Sequence, residues 1–202
     1  MSSPRPATAA LLRKPCNSRK SGKGTLLMVG AHDRARYLAK SLVEGGVSVL
    51  MVDRDSTKVA GAQEEGLQAI YFDVLSSDMD EYLDFTDIGA MLAVLRNDEV
   101  NTLAVLKFRH ELGAANVFRI LSERGSHAEA GRAFGGLTRA ELDRSWDQGY
   151  RPRVVEIGND TEEIRALVVL DEKGDWDVVD GKRKLTPGDR VVALAHECWD
   201  PV

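Results

Sequence analysis

Apolar residues in this chain follow two rhythms that take turns. Short continuous runs fall at Thr25–Val29, Val47–Val52, Gln68–Phe72, Ala90–Leu95 and Asn116–Leu121. Such runs predict strands covered on both faces, because a strand with no solvent side has no place for alternating polar residues. Between them the spacing becomes helical. Ala35, Leu38, Ala39, Leu42 and Val43 form a stripe over Asp33–Glu44, and Val100, Leu103, Ala104 and Phe108 form one over Asp98–Leu112. Ser56–Glu65 and Met79–Phe85 are expected to be helices as well. Gly45-Gly46, Gly66 and Gly113 stand where helices should stop. Strands and helices alternating at this spacing predict an α/β fold, a parallel sheet with helices on both faces.

Beyond Leu121 the pattern changes. Residues 123–136 are polar and glycine-rich and are expected to be a linker. Thr138-Arg139-Ala140-Glu141 has the form of a capping box, in which the first and fourth side chains bond each other's backbone amides, and it should open a helix to about Gln148. Four apolar runs follow, Arg153–Ile157, Ile164–Leu170, Trp176–Val179 and Arg190–His196, with a polar glycine turn at Asp171–Asp175 between the second and third. These predict a small, mostly antiparallel β unit. At the other end, Pro4, Pro6 and Pro15 break any regular period. The expected organisation is a basic flexible segment over 1–24, an α/β domain over 25–122, a linker over 123–136 and a small α+β unit over 137–202.

The chemistry concentrates at the first strand–turn–helix–strand unit. Gly30-Ala31-His32-Asp33-Arg34-Ala35 occupies the place of the dinucleotide fingerprint G-x-G-x-x-G, which makes the expected domain Rossmann-like. Gly30 supplies the tight turn. His32 stands where the second glycine keeps side chains away from a pyrophosphate, and Ala35 is an allowed small residue at the third place. Arg34, and Arg36 less directly, are phosphate partners or solvated helix charges. Asp53 ends the second strand 23 residues after Gly30, near the spacing of a carboxylate that bonds ribose hydroxyls. That favours NAD or a plain adenine nucleotide over NADP, although Arg54 beside it works the other way. Asp73 closes the third strand as Asp53 closes the second. Asn97 follows the fourth strand, either as a ligand contact or as a helix N-cap.

Composition narrows the choice. The chain has 202 residues, 43% of them hydrophobic and 29% charged, and a net charge of −5, which argues against a nucleic-acid partner. Residues 1–24 nevertheless carry six basic residues and no acid, the make-up of a flexible linker, of a segment near anionic lipid or of a targeting peptide. Cys16 and Cys198 form no C-x-x-C pair, and the four histidines show no metal spacing. Neither a disulfide framework nor a zinc site is expected, and a reducing compartment fits best. No apolar run approaches the roughly 20 residues that span a bilayer. No nucleophile elbow, P-loop or acid–base pair appears, so no catalytic residue is expected.

The segments VGAHDRARYLAKSLVEGGVSVLMVDRD, EEGLQAIYFDVLS, AMLAVLRNDEVNTLAVLKFRHELG and NVFRI together resemble the TrkA-N domain. This is also called the RCK or KTN domain, found in bacterial potassium channels, Trk uptake systems and cation:proton antiporters. The closing LTPGDRVVAL is similar to the last strand of the TrkA-C-like module that often follows. The order of parts most resembles the cytosolic C-terminal region of bacterial sodium/proton antiporters. The resemblance implies a regulatory domain that binds NAD(H) or an adenine nucleotide (AMP, ADP or ATP), or a version that has lost its ligand. It implies a homodimer working on a membrane-embedded cation transporter, in the same chain or a separate one, at the cytoplasmic face of the membrane. The matching positions are Gly30, Ala31, Asp53, Asp73 and Asn97. His32, and Phe72 in place of the usual glycine before Asp73, depart from the pattern and add bulk where a ligand would lie. An NAD-dependent oxidoreductase and a purely structural dimerisation domain are the alternatives.

Overall fold

The computed structural model describes residues 24–76, 85–122, 131–158, 164–171, 174–179 and 184–198. The tail expected over 1–24 lies outside the described residues except for Gly24, as does most of the helix expected over Met79–Phe85. The first half builds β1 (Thr25–Val29), α1 (Asp33–Glu44), β2 (Val49–Asp53), α2 (Ser56–Glu64), β3 (Ala69–Tyr71), β4 (Ile88–Ala93), α3 (Asp98–Leu112) and β5 (Val117–Leu121). Then come β6 (Arg132–Thr138), α4 (Arg139–Asp147), β7 (Tyr150–Glu156), β8 (Arg165–Leu170), β9 (Trp176–Val178) and β10 (Arg190–His196).

Six strands make one parallel sheet in the order β3-β2-β1-β4-β5-β6. The order reverses between β1 and β4, so the carboxyl ends of these two strands diverge into a crevice where open α/β sheets place their ligands. Alternate side chains of each strand serve opposite faces. Leu26 and Met28 pack with α1 and α2 through Leu38, Leu42, Val59 and Ala62. Leu27 and Val29 pack with α3 through Ala104, Val105 and Phe108. Helices on both faces are the predicted Rossmann-like arrangement.

Three expectations change. The linker expected over 123–136 gives way from Arg132 to β6, which pairs with β5 and completes the parallel sheet. Its pattern hides it: Gly135 and Gly136 sit at φ +61 and +63, a bulge that breaks the pairing between Arg119 and Leu121 and any two-residue alternation. A Cβ on Gly135 would lie 2.6 Å from Cδ2 of Leu167, so no larger residue fits. On α1, Val43 is 49% exposed while Ser41 is buried, because β7 covers that side and the Ser41 hydroxyl donates to the Pro152 carbonyl at 2.7 Å. On α3, Leu103 is 51% exposed and Asn101 is fully buried.

The remaining strands form an antiparallel sheet in the order β7-β10-β8-β9. α4 opens on the predicted capping box, with Thr138 and Glu141 each bonding the other's backbone amide. The apolar cluster over α1 runs on into Leu167, Val168, Val192 and Leu194. α1 is therefore held between the parallel sheet and the second unit. Ring contacts reinforce this, with Tyr37 edge-on to Trp146 at 5.3 Å.

Candidate nucleotide cleft

The turn after β1 is held by a glycine and by side chains that bond its backbone. Gly30 has φ +120, and a Cβ there would sit 3.2–3.3 Å from Val94 and Leu95. Only glycine meets both conditions without strain. Asp53, 5% exposed, holds the turn from β2. Its Oδ2 accepts the Ala31 amide at 2.9 Å, and its Oδ1 accepts the Asp55 amide at 3.0 Å. Arg36 closes the outer side, donating to the Ala31 carbonyl at 3.0 Å, Asp33 at 2.9 Å and Glu65 at 2.8 Å. Arg36 is thus tied to the turn and its neighbours.

His32 is the N-cap of α1. Its Nδ1 accepts the Ala35 amide at 3.3 Å, and its Nε2 lies 2.8 Å from the Val94 carbonyl. A carbonyl only accepts, so Nε2 carries the proton and donates, and the ring is neutral. The imidazole thereby bridges the start of α1 to the end of β4, across the switch point. Two amides of the turn and first turn, those of Ala31 and Ala35, are already taken. Those of Asp33 and Arg34 have no carbonyl within the helix to bond.

Burial of the ring pulls the His32 pKa below its ordinary value of 6.5. The Val94 hydrogen bond and Asp33 oppose this, while the charges of Arg139 and Arg96 add to it. Because the folded-state pKa lies below the unfolded one, the folded chain binds fewer protons. The stabilisation is complete above pH 6.5 and is lost as pH falls below it. His32→Asn keeps a capping oxygen but no titration. Between about pH 7.5 and about pH 5.5 the wild type is expected to lose more stability in urea denaturation than this variant. Equal losses would show that the ring is not held neutral.

Beside this turn lies a cleft of ≈ 560 Å³ at the carboxyl edge of β1, β2, β3 and β4. Asp53, Arg54, Asp73 and Asn97 all line it, so the structure brings four of the sequence-derived candidates together. Asp73 uses Oδ1 to accept the Leu75 amide at 3.0 Å and is otherwise exposed. Asn97 is the N-cap of α3, accepting the amides of Glu99 and Val100 at 2.9 and 3.2 Å. Arg54 is exposed at the rim. Asp55 caps α2 and pairs with Lys58 at 3.1 Å. Hydrogen bonds from the Thr57 side chain first, then Lys58, bring its pKa down to about 2.

His32 and Arg34 line a different cavity. Arg34 pairs with Asp143 and lies 3.7 Å from Asp147, both on α4, with its guanidinium 5.5 Å from the Trp146 ring centre. Arg34 is thus tied to the second unit and is not in the lining of the cleft. Sequence reasoning missed Tyr71, 64% exposed at the cleft, and Lys58 and Arg96 in its wall. It also missed Asn101, whose side chain bonds both the amide (3.0 Å) and the carbonyl (2.8 Å) of Leu95 and so sets the loop after β4. An Asn within a helix carries no sequence signal for such a bond; its burial in the fold reveals it.

A parallel sheet in this order, with a glycine turn and a strand-ending acid at its switch point, defines a Rossmann-like nucleotide-binding class of domain. The chain belongs to the TrkA-N domain family, whose model matches residues 26–134, more than half of it. Among solved structures it is similar to the NAD(P)-binding domain of an exopolyphosphatase-related protein from Archaeoglobus fulgidus. There the identity is 19% and the TM-score 0.51, over 62% of this chain and 96% of that one. It is also similar to the GsuK RCK domain, with 12% identity and a TM-score of 0.47 over 86% of this chain and 44% of that one. A third is the TrkA-N domain of the inner membrane protein YbaL from Escherichia coli, with 14% identity and a TM-score of 0.46 over 62% and 96%. At 19% identity, what the first of these shares with this chain is the fold. A comparison with curated protein sequences finds no match.

Proposed function

We propose that this chain is a regulatory module that binds an adenine mononucleotide in the β2–β3–β4 cleft and biases the cycle of a membrane-embedded cation transporter, in the same chain or a separate one. Family membership supports the regulatory role, and the cleft supports the ligand class. Tyr71 and Phe72 offer aromatic faces to a base, Asp73 an acceptor to its amino group, and Arg54 and Lys58 positive charge to phosphate. Asp53 shapes the turn from below, and any ribose contact it makes is in addition to that.

The bridging ring of His32 carries the choice within NAD(H), AMP, ADP and ATP. It bridges the start of α1 to the end of β4, and in this position it is expected to disfavour the second half of a dinucleotide. The module works as a homodimer at the cytoplasmic face, the arrangement that the family resemblance implies. Among the described residues no helix is long and apolar enough to cross a membrane. The oxidoreductase reading has no residue in a catalytic role behind it.

Calorimetric titration of the full chain with AMP, ADP, ATP, NAD and NADH tests the ligand. The expected result is binding of the mononucleotides, with NAD no tighter than AMP. NAD binding more than about tenfold tighter than AMP would mean that His32 swings away. Binding of none would leave a structural dimerisation domain as the better description, which light scattering without nucleotide would then support.

A further inference from the structure

A second cavity, of ≈ 260 Å³, lies between the sheet and α4, on the far side of His32 from the nucleotide cleft. Its walls are apolar, from Leu38 of α1, Ile120 of β5, Phe134 and Leu137 of β6, and Leu142 and Trp146 of α4. Three arginines, Arg34, Arg96 and Arg139, stand around it. Arg34 is satisfied by Asp143 and Asp147. The other two are satisfied less fully. Arg96 is exposed and makes no hydrogen bond or ion pair among the described residues. Arg139 donates to the Leu95 carbonyl, but its Nε is buried without an acceptor. Oδ1 of Asp98 is its ion-pair partner at 3.9 Å, too far to accept a hydrogen bond, and is itself buried without a donor.

Burial, followed by the neighbouring charges of Arg96 and Arg34, pulls the Arg139 pKa below its ordinary value against the opposing pull of Asp98. Three cationic groups thus crowd this cavity, with Asp143, Asp147 and Asp98 as their carboxylate neighbours. A buried donor left unpaired is costly, and a charge-assisted bond to an anion is the direct way to satisfy it. His32, neutral, adds no charge. The apolar walls favour a ligand body that needs no hydrogen bonds, since such cavities hold water poorly.

We propose that this cavity binds a small organic carboxylate with an aryl or branched-alkyl body. The carboxylate meets Arg96 and Arg139, and the body lies against Phe134, Leu137 and Trp146. At about 30 Å³ for each water-sized volume, the cavity suits a ligand of roughly ten non-hydrogen atoms. The site is separate from the nucleotide cleft, with Arg96 standing at the edge of both, and it does not depend on the nucleotide reading.

Titration of the full chain with benzoate, phenylacetate and 3-methylbutanoate, followed by amide chemical shifts, tests it. The three acids are expected to bind and to shift Leu137, Leu142 and Trp146. Benzamide, with the same body and no charge, and acetate, with the charge and no body, are expected to bind at least about tenfold more weakly. Arg96→Ala and Arg139→Gln should each weaken benzoate by a similar factor. Arg96→Ala breaks no bond among the described residues, so its melting temperature should match the wild type even if Arg139→Gln loosens α4. Binding should persist in saturating AMP.

No shifts at about 10 mM acid, benzamide equal to benzoate, or an unchanged affinity in Arg96→Ala would each overturn the proposal. Displacement by NAD but not by AMP would also overturn it, by showing that the cavity takes the far end of a dinucleotide. Failure of AMP itself to bind would count against the nucleotide reading alone.

Discussion

Phe134→Ala is expected to destabilise the chain by about 3–5 kcal/mol, the cost of removing a fully enclosed aromatic ring and leaving a cavity behind. Phe134 is 0% exposed and belongs to the cluster that joins the parallel sheet to the second unit. A residue in a flexible linker would lose almost nothing on the same change, so the measurement separates a linker from a sixth core strand. Urea denaturation of the full chain supplies the number. A loss under about 1 kcal/mol would show that β6 does not pack as described. The variant should also disturb both units together, because the cluster spans them and Gly135 next door already touches Leu167.

Asp53→Ala is expected to cost about 2–4 kcal/mol and to weaken nucleotide binding at least about tenfold. The stability term has a direct cause. The carboxylate accepts two backbone amides, those of Ala31 and Asp55. Ala31 is fully buried, so its amide has no water to turn to once the carboxylate is gone. Asp53→Asn keeps one acceptor oxygen and should recover roughly half of the stability. The binding term follows from the same bonds, because they hold both the glycine turn and the start of α2 at the cleft. Calorimetry with AMP on the two variants tests it. If Asp53→Ala folds with wild-type stability, the turn is held by something other than this side chain.

Much of the fold can be read from the sequence. α1, α3 and β10 lie where helical spacing and apolar runs put them, and the capping box of α4 forms as its residues require. These features are local: a cap, a stripe or a buried run needs only neighbours a few residues away. β6 escaped because two left-handed glycines replace alternation with a bulge whose fit depends on Leu167, a residue of the next sheet. Val43 and Leu103 were placed inside because periodicity locates a stripe only to within a residue or so. Which edge of the stripe is covered is decided by what packs there, and on α1 that is β7, through Ser41 and Pro152.

The candidate site divides in the same way. Asp53, Arg54, Asp73 and Asn97 do gather at one cleft, since strand ends in a parallel sheet come together whatever their side chains do. What each side chain is used for was not legible. His32 reaches Val94, 62 residues on; Arg34 reaches Asp143, 109 residues on; Asp53 reaches back 22 residues to Ala31. The sequence by itself determined the alternation of strands and helices through β5, the glycine turn and the acids at the strand ends, because those follow from short-range sterics and burial. Only the tertiary structure decided that the histidine caps and bridges, that one arginine turns to α4, and that two others stand beside an apolar cavity. Those outcomes depend on which distant group offers the better partner once the chain has closed on itself.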